Sequence, residues 1–394
     1  MNLKDNQIEK WLDRWGDKIY PSKDKLLKEL KSSKKLTIYH GVDPTAPDLH
    51  LGHSTNYLLL KKFQELGHKV IILIGSFTAQ IGDPTGKDIT RRRLTKKQVL
   101  DNAKTYKKQI SKILDFTSKN NPVQIKFNDK WYEKMKIVDF MNLMSYFTYG
   151  QMIKRNMFQE RLRKGQEINF IEFIYPMLQG YDSVAMDVDA EIGGTDQMFN
   201  MMRGRDLMQE YKNKEKFVIT TKLLENPKTG KKLMSKSEGG YVALSDSPKE
   251  MFGKIMALPD EAINPCLDLC TELEKVKANN PKQLKERLAK EIVTMYHSKK
   301  EAEKAEKEFN KVFKDKEIPS DISTIKIKEK ELNILNLLVK TKLVSSKAEA
   351  RRLVEQKGVK IDKKIEDDWK KNIKIKNNLI IQVGKRRFIK CLVP

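Results

Sequence analysis

Cysteine and long hydrophobic runs are the scarcest features of this sequence. Only three of its 394 residues are cysteines, too few for a disulfide framework, so a reducing compartment is expected. No apolar run approaches the ~20 residues that a membrane-spanning helix needs. The first residues carry an acid and no apolar core, so we expect no targeting peptide. These absences predict a cytoplasmic protein.

The scarcity of cysteine also bears on metal binding. Cys266 and Cys270 stand one helical turn apart and imitate a pair of metal ligands. A zinc site needs about four ligands, and His297 is the only other obvious candidate nearby. Buried thiols on a helix are the favoured interpretation, and no protein-bound metal is expected.

Positive charge is in excess. The chain has 78 basic and 53 acidic residues, a net charge of +25, and residues 331–394 alone carry 17 basic and 7 acidic residues, or +10 of that total. Such a concentration favours a polyanionic partner, nucleic acid above all, although a lysine-rich compositional bias would give the same total. The length predicts two or three domains.

The stretch 36–93 organises the rest of the chain. Apolar runs at 36–39 and 70–74 flank an amphipathic helix that begins near residue 50 and runs to about residue 66. Strand, helix and strand in this order predict a βαβ crossover of a parallel sheet. Ligands of such sheets bind beyond the carboxyl ends of the strands.

Two histidines stand where the first strand hands over to this helix. His50 and His53 lie on one helical face and can donate hydrogen bonds to the same group. Gly52 between them lets a phosphate or a flat ring approach the backbone at a helix N-terminus, which attracts anions. A helix start that happens to hold two histidines is the alternative.

A polar, glycine-rich loop follows the second strand. Asp83 is suited to a cationic amine, and Lys87 with the run 91–93 offers charge for phosphate. An exposed Asp-Pro turn beside a solvated basic stretch is the alternative. The histidine motif makes the binding loop the favoured interpretation.

A second polar cluster follows in the middle of the chain. Tyr175, Gln179 and Asp182 share one helical face, and such groups either satisfy each other in the core or line a pocket. The glycines at 193–194, at the end of a short strand, would let a ribose or adenine lie on the backbone, with Asp196 accepting from ribose hydroxyls. This neighbourhood favours the pocket.

Periodicity also predicts one or two charged helices with an apolar stripe over residues 2–33, and a single helix over 96–117. Further strands are expected at 123–127 and 217–220, and helices over 248–316 with breaks at Pro259 and near Pro265. The composition of residues 226–240 predicts a mobile basic loop. The small residues around Lys236 suit a loop that closes over polyphosphate.

These motifs together resemble a known family. His50-Leu-Gly-His53 resembles the first signature of the class I aminoacyl-tRNA synthetases, and Met234-Ser-Lys-Ser237 resembles the second. The stretches 41–45, 81–86, 175–182 and 193–197 look like those of the bacterial tyrosyl-tRNA synthetases. The resemblance covers essentially the whole chain.

The resemblance implies an α/β fold in several parts. A Rossmann-like parallel-sheet catalytic domain is expected over 1–225, with dimer-interface helices at about 135–165, although ordinary core would have the same composition there. A mobile loop and a small α-helical domain follow over 226–316, then a linker over 317–330. A basic α+β RNA-binding domain over 331–394 resembles the small fold first named for a ribosomal small-subunit protein.

The resemblance also implies a reaction and its participants. ATP, as its Mg²⁺ complex, activates L-tyrosine to tyrosyl-adenylate with release of pyrophosphate, and the terminal ribose of tRNA(Tyr) then takes the tyrosyl group. A homodimer is expected. By this resemblance the catalytic residues are His50, His53, Thr45 and Lys236.

The same resemblance assigns the binding residues. Tyr39 and Asp182 would bind the phenol of tyrosine. Asp83, Tyr175 and Gln179 would bind its ammonium group, and Gln197 would also contact the tyrosine. ATP would contact Gly41, Asp43, Gly52, Gly194, Asp196, Met234, Ser235, Lys236 and Ser237. The tRNA would contact Lys87, Arg91, Lys347, Arg351 and Arg352.

One position departs from the family pattern. Leu233 stands where the second signature usually begins with lysine, so either Lys231 or Lys232 is left to contact pyrophosphate.

Three other functions compete with this interpretation. A tryptophanyl-tRNA synthetase is disfavoured by the carboxylate placed for a phenol. A catalytically silent paralogue that binds RNA is disfavoured by the intact histidine and lysine motifs. A small nucleotidyltransferase would not need the helical region or the basic tail.

Overall fold

The chain forms two compact units, Met1–Glu303 and Lys304–Pro394. The computed structural model describes residues 5–84, 93–234, 240–274, 280–313, 323–384 and 387–393. The predicted boundaries at 225, 316 and 330 differ from this division. Helices of the 248–303 region pack in the same unit as the sheet, because one of them, residues 263–270, covers the helix that follows a central strand.

The elements of the first unit follow one another closely. In chain order they are α1 (Asp5–Trp15), β1 (Gly16–Tyr20), α2 (Lys23–Lys31), β2 (Thr37–Val42), α3 (Leu51–Glu65), β3 (Lys69–Ile74), α4 (Thr78–Ile81), α5 (Lys96–Ala103), α6 (Tyr106–Ile110), β4 (Gln124–Phe127), α7 (Asp129–Tyr132), α8 (Ile137–Ser145), α9 (Tyr149–Ile153), α10 (Asn156–Arg163), α11 (Ile171–Met186), β5 (Ala190–Gly194), α12 (Met198–Lys212), β6 (Phe217–Thr221), α13 (Pro248–Met256), α14 (Ile263–Cys270) and α15 (Pro281–Tyr296). Helix α16 (Lys299–Phe313) runs across the boundary between the units.

A six-stranded sheet forms the centre of this unit. Its strand order is β1-β6-β5-β2-β3-β4, and every neighbouring pair is parallel except β1 with β6. The predicted crossover is confirmed: β2 and β3 pair in parallel from Thr37 with Lys69 to Val42 with Ile74, and α3 connects them. The carboxyl ends of β2, β3, β5 and β6 therefore meet at one edge.

Helix α3 is buried around most of its circumference. Leu51, Leu58, Leu60 and Phe63 are all buried, because the helix is covered by α1 and α14 on the side away from the sheet. This covering holds the N-terminus of α3 firmly at the sheet edge. The site described below is built there.

Some predicted elements were wrong. Residues 16–20 form edge strand β1 rather than part of a helix, since pairing with β6 overrides the local pattern. The predicted helix over 96–117 is two short helices, α5 and α6. Pro265 lies in the first turn of α14 and does not break it, because its missing N–H has no partner to lose there. The break at Pro259 is confirmed.

The second unit is a small α+β fold with its own core. Its elements are β7 (Thr324–Lys326), β8 (Glu331–Asn333), α17 (Ile334–Lys340), α18 (Lys347–Glu355), β9 (Val359–Ile361), β10 (Lys364–Ile365), β11 (Asn372–Lys374), β12 (Leu379–Val383) and β13 (Arg387–Leu392). Five strands form a sheet in the order β10-β9-β12-β13-β7, and β11 pairs with β8. Residues 324–326, expected in a linker, pair in parallel with β13.

In the part of the chain that the structure describes, no helix is both long and apolar enough to cross a membrane.

Candidate active site

A cavity of about 570 Å³ opens at the carboxyl edge of the parallel strands. The ends of β2 and β5, the start of α3 and one face of α11 supply its walls. Residues predicted from the sequence that line it are Tyr39, Gly41, Asp43, Thr45, His50, Gly52, His53, Asp83, Tyr175, Gln179, Asp182, Gly194, Asp196 and Gln197. The predicted residues Lys87, Arg91, Ser235, Lys236 and Ser237 lie outside the described residues.

The two histidines begin helix α3 and cap each other. The backbone N–H of Gly52 donates to Nδ1 of His50 at 3.1 Å, and the backbone N–H of His50 donates to Nδ1 of His53 at 3.1 Å. Because Nδ1 accepts in both rings, each neutral ring carries its proton on Nε2. The rings lie together with centroids 4.0 Å apart.

Burial keeps both rings uncharged at neutral pH. It lowers the pKa of His50 to about 4, and it lowers the pKa of His53 well below its usual range, with the neighbouring His50 adding to the effect. The site therefore presents two neutral Nε2–H donors at the end of a helix, beside a glycine. A Cβ added at Gly52 would lie 3.0 Å from the ring of His50, so the bare backbone leaves space that a side chain would take.

The chain on both sides of the basic loop is fixed next to these histidines. After the loop, the backbone N–H of Leu51 donates to the carbonyl of Val242 at 3.1 Å, and Tyr241 packs edge-on against His50. Before the loop, Met234 is buried, and its Cβ lies 3.9 Å from the Cβ position of Gly52. The described residues on either side of 235–239, Met234 and Tyr241, therefore both lie at the N-terminus of α3.

At the other end of the cavity lies Asp182, a fully buried carboxyl. Its Oδ1 accepts from Nε1 of Trp131 at 3.0 Å and from the hydroxyl of Tyr132 at 2.8 Å, and its Oδ2 accepts from Nδ2 of Asn128 at 3.3 Å. Burial raises the pKa of Asp182 to about 8, while these hydrogen bonds act in the opposite direction. Tyr39 lies on the same wall and shares a hydrogen bond of 2.9 Å with Ser183.

A row of amide side chains leads from this end towards Asp83. Gln179 donates to Oε1 of Glu191 at 3.1 Å and accepts from Nδ2 of Asn200 at 2.9 Å. Asn200 also donates to Gln197 at 3.0 Å, and Gln197 donates to Oδ2 of Asp83 at 2.7 Å. This network fixes which end of each amide faces its neighbour.

A second acid stands close to this row. The hydroxyl of Tyr175 donates to Oδ2 of Asp43 at 2.9 Å, and Thr78 donates to Oδ1 of the same carboxylate at 2.8 Å. Tyr175, Gln179 and Asp182 thus face the cavity from one side of α11, as their spacing predicts. Carboxylates in this middle part of the cavity can hold a cation.

Asp196 and Lys232 form an ion pair on the remaining wall. Nζ of Lys232 lies 2.6 Å from Oδ2 of Asp196. A Cβ added at Gly194 would lie 2.6 Å from Oδ1 of the same carboxylate, so the glycine gives it room. Lys232, with Leu233, lines the cavity, whereas Lys231 is not part of its wall.

Sequence reasoning missed several residues of this site. Thr78 and Glu191 line the cavity, and Asn128, Trp131 and Tyr132 support Asp182 from the segment after β4. Polar residues directly after a parallel strand are a usable signal, and this segment has them. Lys216, which is fully buried beside Glu191, gives no such signal in the sequence.

The second unit carries the other predicted contacts. Lys347, Arg351 and Arg352 are exposed on α18. The guanidinium of Arg351 lies 4.4 Å from the ring centre of Trp369 and donates to Glu355 at 2.8 Å. The helix thus presents a basic surface next to an aromatic ring.

The described residues include no group of three or more His, Cys, Asp or Glu side chains arranged to hold a metal ion.

Two family models match the chain. Residues 31–314 match the model for class I tRNA synthetases (W and Y), and residues 313–391 match the model for the C-terminal domain of tyrosine–tRNA ligases. Tyrosine–tRNA ligase 2 of Clostridium acetobutylicum is 43% identical over 94% of this chain and 94% of its own. Tyrosine–tRNA ligase of Thermotoga maritima is 43% identical over 93% of each.

Solved structures share the fold of the greater part of the chain. A truncated mitochondrial tyrosyl-tRNA synthetase of Aspergillus nidulans superposes with a TM-score of 0.65 and 22% identity, over 78% of this chain and 94% of its own. The tyrosyl-tRNA synthetase of Archaeoglobus fulgidus, complexed with L-tyrosine, gives a TM-score of 0.58 at 19% identity, over 77% of this chain and 100% of its own.

Proposed function

The chain belongs to the class I family of tyrosine and tryptophan tRNA synthetases, and on this premise we propose how its cavity carries out the reaction of a tyrosine–tRNA ligase. The enzyme activates L-tyrosine with ATP and transfers the tyrosyl group to tRNA(Tyr). In the first step a tyrosine carboxylate oxygen attacks the α-phosphorus of ATP, and the bond to the β-phosphate breaks as pyrophosphate leaves. In the second, a hydroxyl of the terminal ribose attacks the activated carbonyl, and AMP leaves.

The buried carboxyl of Asp182 is the observation that carries the substrate assignment. A deep, dry acceptor at the end of a cavity suits a phenol hydroxyl, and Tyr39 on the same wall supplies a second polar contact. A site built to pair a hydroxyl rejects phenylalanine, because its own polar groups would be left unpaired. Discrimination against phenylalanine is the known behaviour of tyrosine–tRNA ligases. Our proposal is that Asp182 and Tyr39 are the residues responsible for it in this chain.

The ammonium group of tyrosine would lie in the middle of the cavity. Asp83 is the carboxylate we assign to it, with the hydroxyl of Tyr175 and the amides of Gln179 and Gln197 around it. The amide network presets these groups before the substrate arrives, which lowers the cost of ordering them on binding. The tyrosine carboxylate then points towards the histidines.

ATP would occupy the other end. His50 and His53 would donate from Nε2 to phosphate oxygens, with Thr45 beside them, and Gly52 lets the phosphates approach α3. Donors aimed at charge that develops on the transferring phosphate stabilise the transition state. Gly41 and Asp43 would also face the nucleotide, while Gly194 and Asp196 would bind the ribose.

The loop signature would supply further positive charge to the polyphosphate. By the family resemblance, Met234 would contact the polyphosphate together with Ser235, Lys236 and Ser237, which lie outside the described residues. Lys232, rather than Lys231, is our candidate for the second lysine, because it lines the cavity and already pairs with an acid there. We expect Mg²⁺ to arrive bound to the phosphates of ATP, as part of the substrate.

A pair of glutamine variants tests the lysine assignment. Lys232→Gln is expected to lower kcat/KM for ATP by roughly tenfold or more, as expected for a charged contact to phosphate. Lys231→Gln is the matched control and should behave as the wild type. Equal losses in the two variants would contradict the assignment and indicate a nonspecific effect of loop charge.

The basic surface of the second unit would bind the tRNA. Lys347, Arg351 and Arg352 are exposed on one helix, and their charge suits an RNA backbone. Lys87 and Arg91 stay predicted contacts near the acceptor end. Three free, buried cysteines fit a reducing compartment, and we propose the cytoplasm.

We also propose that the enzyme is a homodimer. Ile137, Met141, Tyr149 and Phe170 are large apolar side chains that are more than half exposed, and they follow each other along the segment from α8 to the start of α11. Exposed apolar patches of this kind mark interfaces, and a second copy is the partner that the family resemblance implies. Met141→Asp should lower the sedimentation mass at micromolar concentration from that of a dimer to that of a monomer; a monomeric wild type would refute the proposal.

Amino-acid-dependent exchange of pyrophosphate into ATP tests the function as a whole. Purified enzyme is assayed separately with tyrosine, phenylalanine and tryptophan. Exchange with tyrosine alone is the expected result. Exchange with tryptophan instead would favour the other branch of the family, and no exchange with any amino acid would refute the enzyme assignment.

A further inference from the structure

A buried ion pair lies directly behind the phenol end of the cavity. Lys216 is 0% exposed and Glu191 is 2% exposed, and the two side chains are in hydrogen-bond contact. Removing two charges from water is costly, and replacing such a pair with apolar residues is often neutral or stabilising. Stability alone therefore does not account for its position, and its other contacts indicate a role.

The ammonium group of Lys216 also donates to the hydroxyl of Ser183, at 2.9 Å. The neighbouring helix α12 leaves room for this contact at Gly204. A Cβ added at Gly204 would lie 2.8 Å from Oγ of Ser183 and would also contact Nζ of Lys216. Helix α12 thus leaves the space in which the two groups meet.

The hydroxyl of Ser183 passes this hydrogen bond on to Tyr39. An ammonium group can only donate, so Ser183 accepts from Lys216. Among the described residues, the only other hydrogen-bond partner of Oγ of Ser183 is the hydroxyl of Tyr39, at 2.9 Å. The proton of Ser183 must then go to the oxygen of Tyr39, which keeps its own proton for another acceptor.

Glu191 is the competing acceptor for that proton. Burial raises the pKa of Tyr39 well above its usual range, and the carboxylate of Glu191 adds to the effect. The ammonium group of Lys216 donates to Oε2 of Glu191, and the amide of Gln179 donates to Oε1. Each oxygen of Glu191 thus already accepts one hydrogen bond, which weakens its competition for the proton of Tyr39, and a phenol oxygen bound in the cavity can take that proton instead.

We propose that Lys216 is a positioning residue for substrate selection: through Ser183 and Glu191 it directs the hydroxyl proton of Tyr39 towards the phenol oxygen of tyrosine. This inference rests on the proposed function of the cavity. Above the pKa of Asp182, where its carboxylate is ionised, the phenol then donates its own hydrogen bond to Asp182, so the two polar contacts run in one direction. Such ordered hydrogen bonds strengthen one another in a dry site.

The test is a double-mutant cycle between Ser183 and Tyr39, read in kcat/KM of pyrophosphate exchange with tyrosine and with phenylalanine. Ser183→Ala should lower kcat/KM for tyrosine by roughly 3- to 10-fold, the value of one hydrogen bond, and leave phenylalanine and the KM for ATP unchanged. In a Tyr39→Phe background, Ser183→Ala should have no further effect on the ratio of tyrosine to phenylalanine. Thr294→Ala, which removes a helical hydroxyl in α15, is the control.

Lys216 is tested with a neutral and a charged replacement. Lys216→Gln should lower the ratio of tyrosine to phenylalanine in the same direction as Ser183→Ala, and Lys216→Arg should restore part of it. If both substrates lose rate equally, or if the effects of Ser183 and Tyr39 simply add, the role is structural and the proposal is overturned.

The cycle also separates this inference from the function on which it rests. If Tyr39→Phe leaves the ratio of kcat/KM for tyrosine to that for phenylalanine unchanged, Tyr39 does not contact the phenol. The proposed role of Lys216 is then overturned as well. Tyrosine-dependent exchange by the wild type would still stand in that case. Loss of that exchange would instead refute the proposed function.

Discussion

Replacing Asp182 with asparagine is expected to lower kcat/KM for tyrosine by roughly 10- to 150-fold. The carboxylate has three donors on the protein side, so the substrate hydroxyl would take its remaining acceptor position. A hydrogen bond to a charged acceptor contributes about 1.5–3 kcal/mol, and about 1.4 kcal/mol corresponds to each tenfold step. Because burial raises the pKa of Asp182 to about 8, the assay is run above that pH, where the carboxylate form dominates.

The surroundings of Asp182 determine which way the new amide would turn. If the NH₂ group of the asparagine took the Oδ1 position, this donor would face two other donors, Trp131 and Tyr132, at 3.0 and 2.8 Å. At the Oδ2 position it would face only Asn128, whose contact is longer, at 3.3 Å. The amide should therefore keep its oxygen towards Trp131 and Tyr132 and lose little stability.

Pyrophosphate exchange with tyrosine and phenylalanine measures the effect. The rate with phenylalanine should hardly change, since that substrate has no hydroxyl to pair. Asp187→Asn, at the exposed end of the same helix, is the matched control. An equal loss with both substrates, or no loss with tyrosine, would refute the assignment of Asp182 to the phenol.

Three further predictions concern the glycine at the start of α3 and two titrations. Gly52→Ala should lower kcat/KM for ATP about 10- to 100-fold by displacing the phosphates, while Gly253→Ala, whose added Cβ meets nothing within 4 Å, should leave exchange unchanged. The free energy of unfolding in urea should fall as pH drops from 6.5 towards 4, by up to about 3 kcal/mol from His50, because its buried neutral ring has a pKa of about 4 and the unfolded chain binds the proton first. A His50→Asn variant should lose that part of the slope. For Asp182 the sign is opposite: its raised pKa makes the folded protein hold the proton, so the wild type should lose stability relative to Asp182→Asn as pH rises from about 4 to about 8.

The sequence predicted the elements that chain-local patterns specify. The crossover from β2 through α3 to β3 shows as two apolar runs around an amphipathic helix, and the polar face of α11 shows as a spacing of four and three residues. Both are local in the chain, so periodicity reports them. Strand β1 is different, because its five residues become a strand only by pairing with β6, about two hundred residues later.

Contacts between elements that are distant in the chain could not be predicted from the sequence, for the same reason. Asp182 was predicted to be a pocket residue, yet its donors come from α7 and the turn before it, some fifty residues earlier in the chain. Lys216 is one of 78 basic residues, and only the fold reveals that it is buried beside Glu191. A sequence reports the type of a side chain, whereas its burial depends on how the elements pack.

The distribution of charge along the cavity indicates how the two substrates are kept in order. In the proposed binding mode, carboxylates lie at the end assigned to tyrosine and in the middle of the cavity, whereas the two histidines at the end assigned to phosphate are neutral donors. A fixed cation beside the histidines would also bind the tyrosine carboxylate in the ground state, and binding of that kind adds little to the rate. Among the described residues that line the cavity, the lysine is Lys232, which pairs with Asp196. On the proposed assignment, ribose hydroxyls would displace Lys232 from Asp196, and binding of the nucleotide itself would then deliver the charge that the transition state needs.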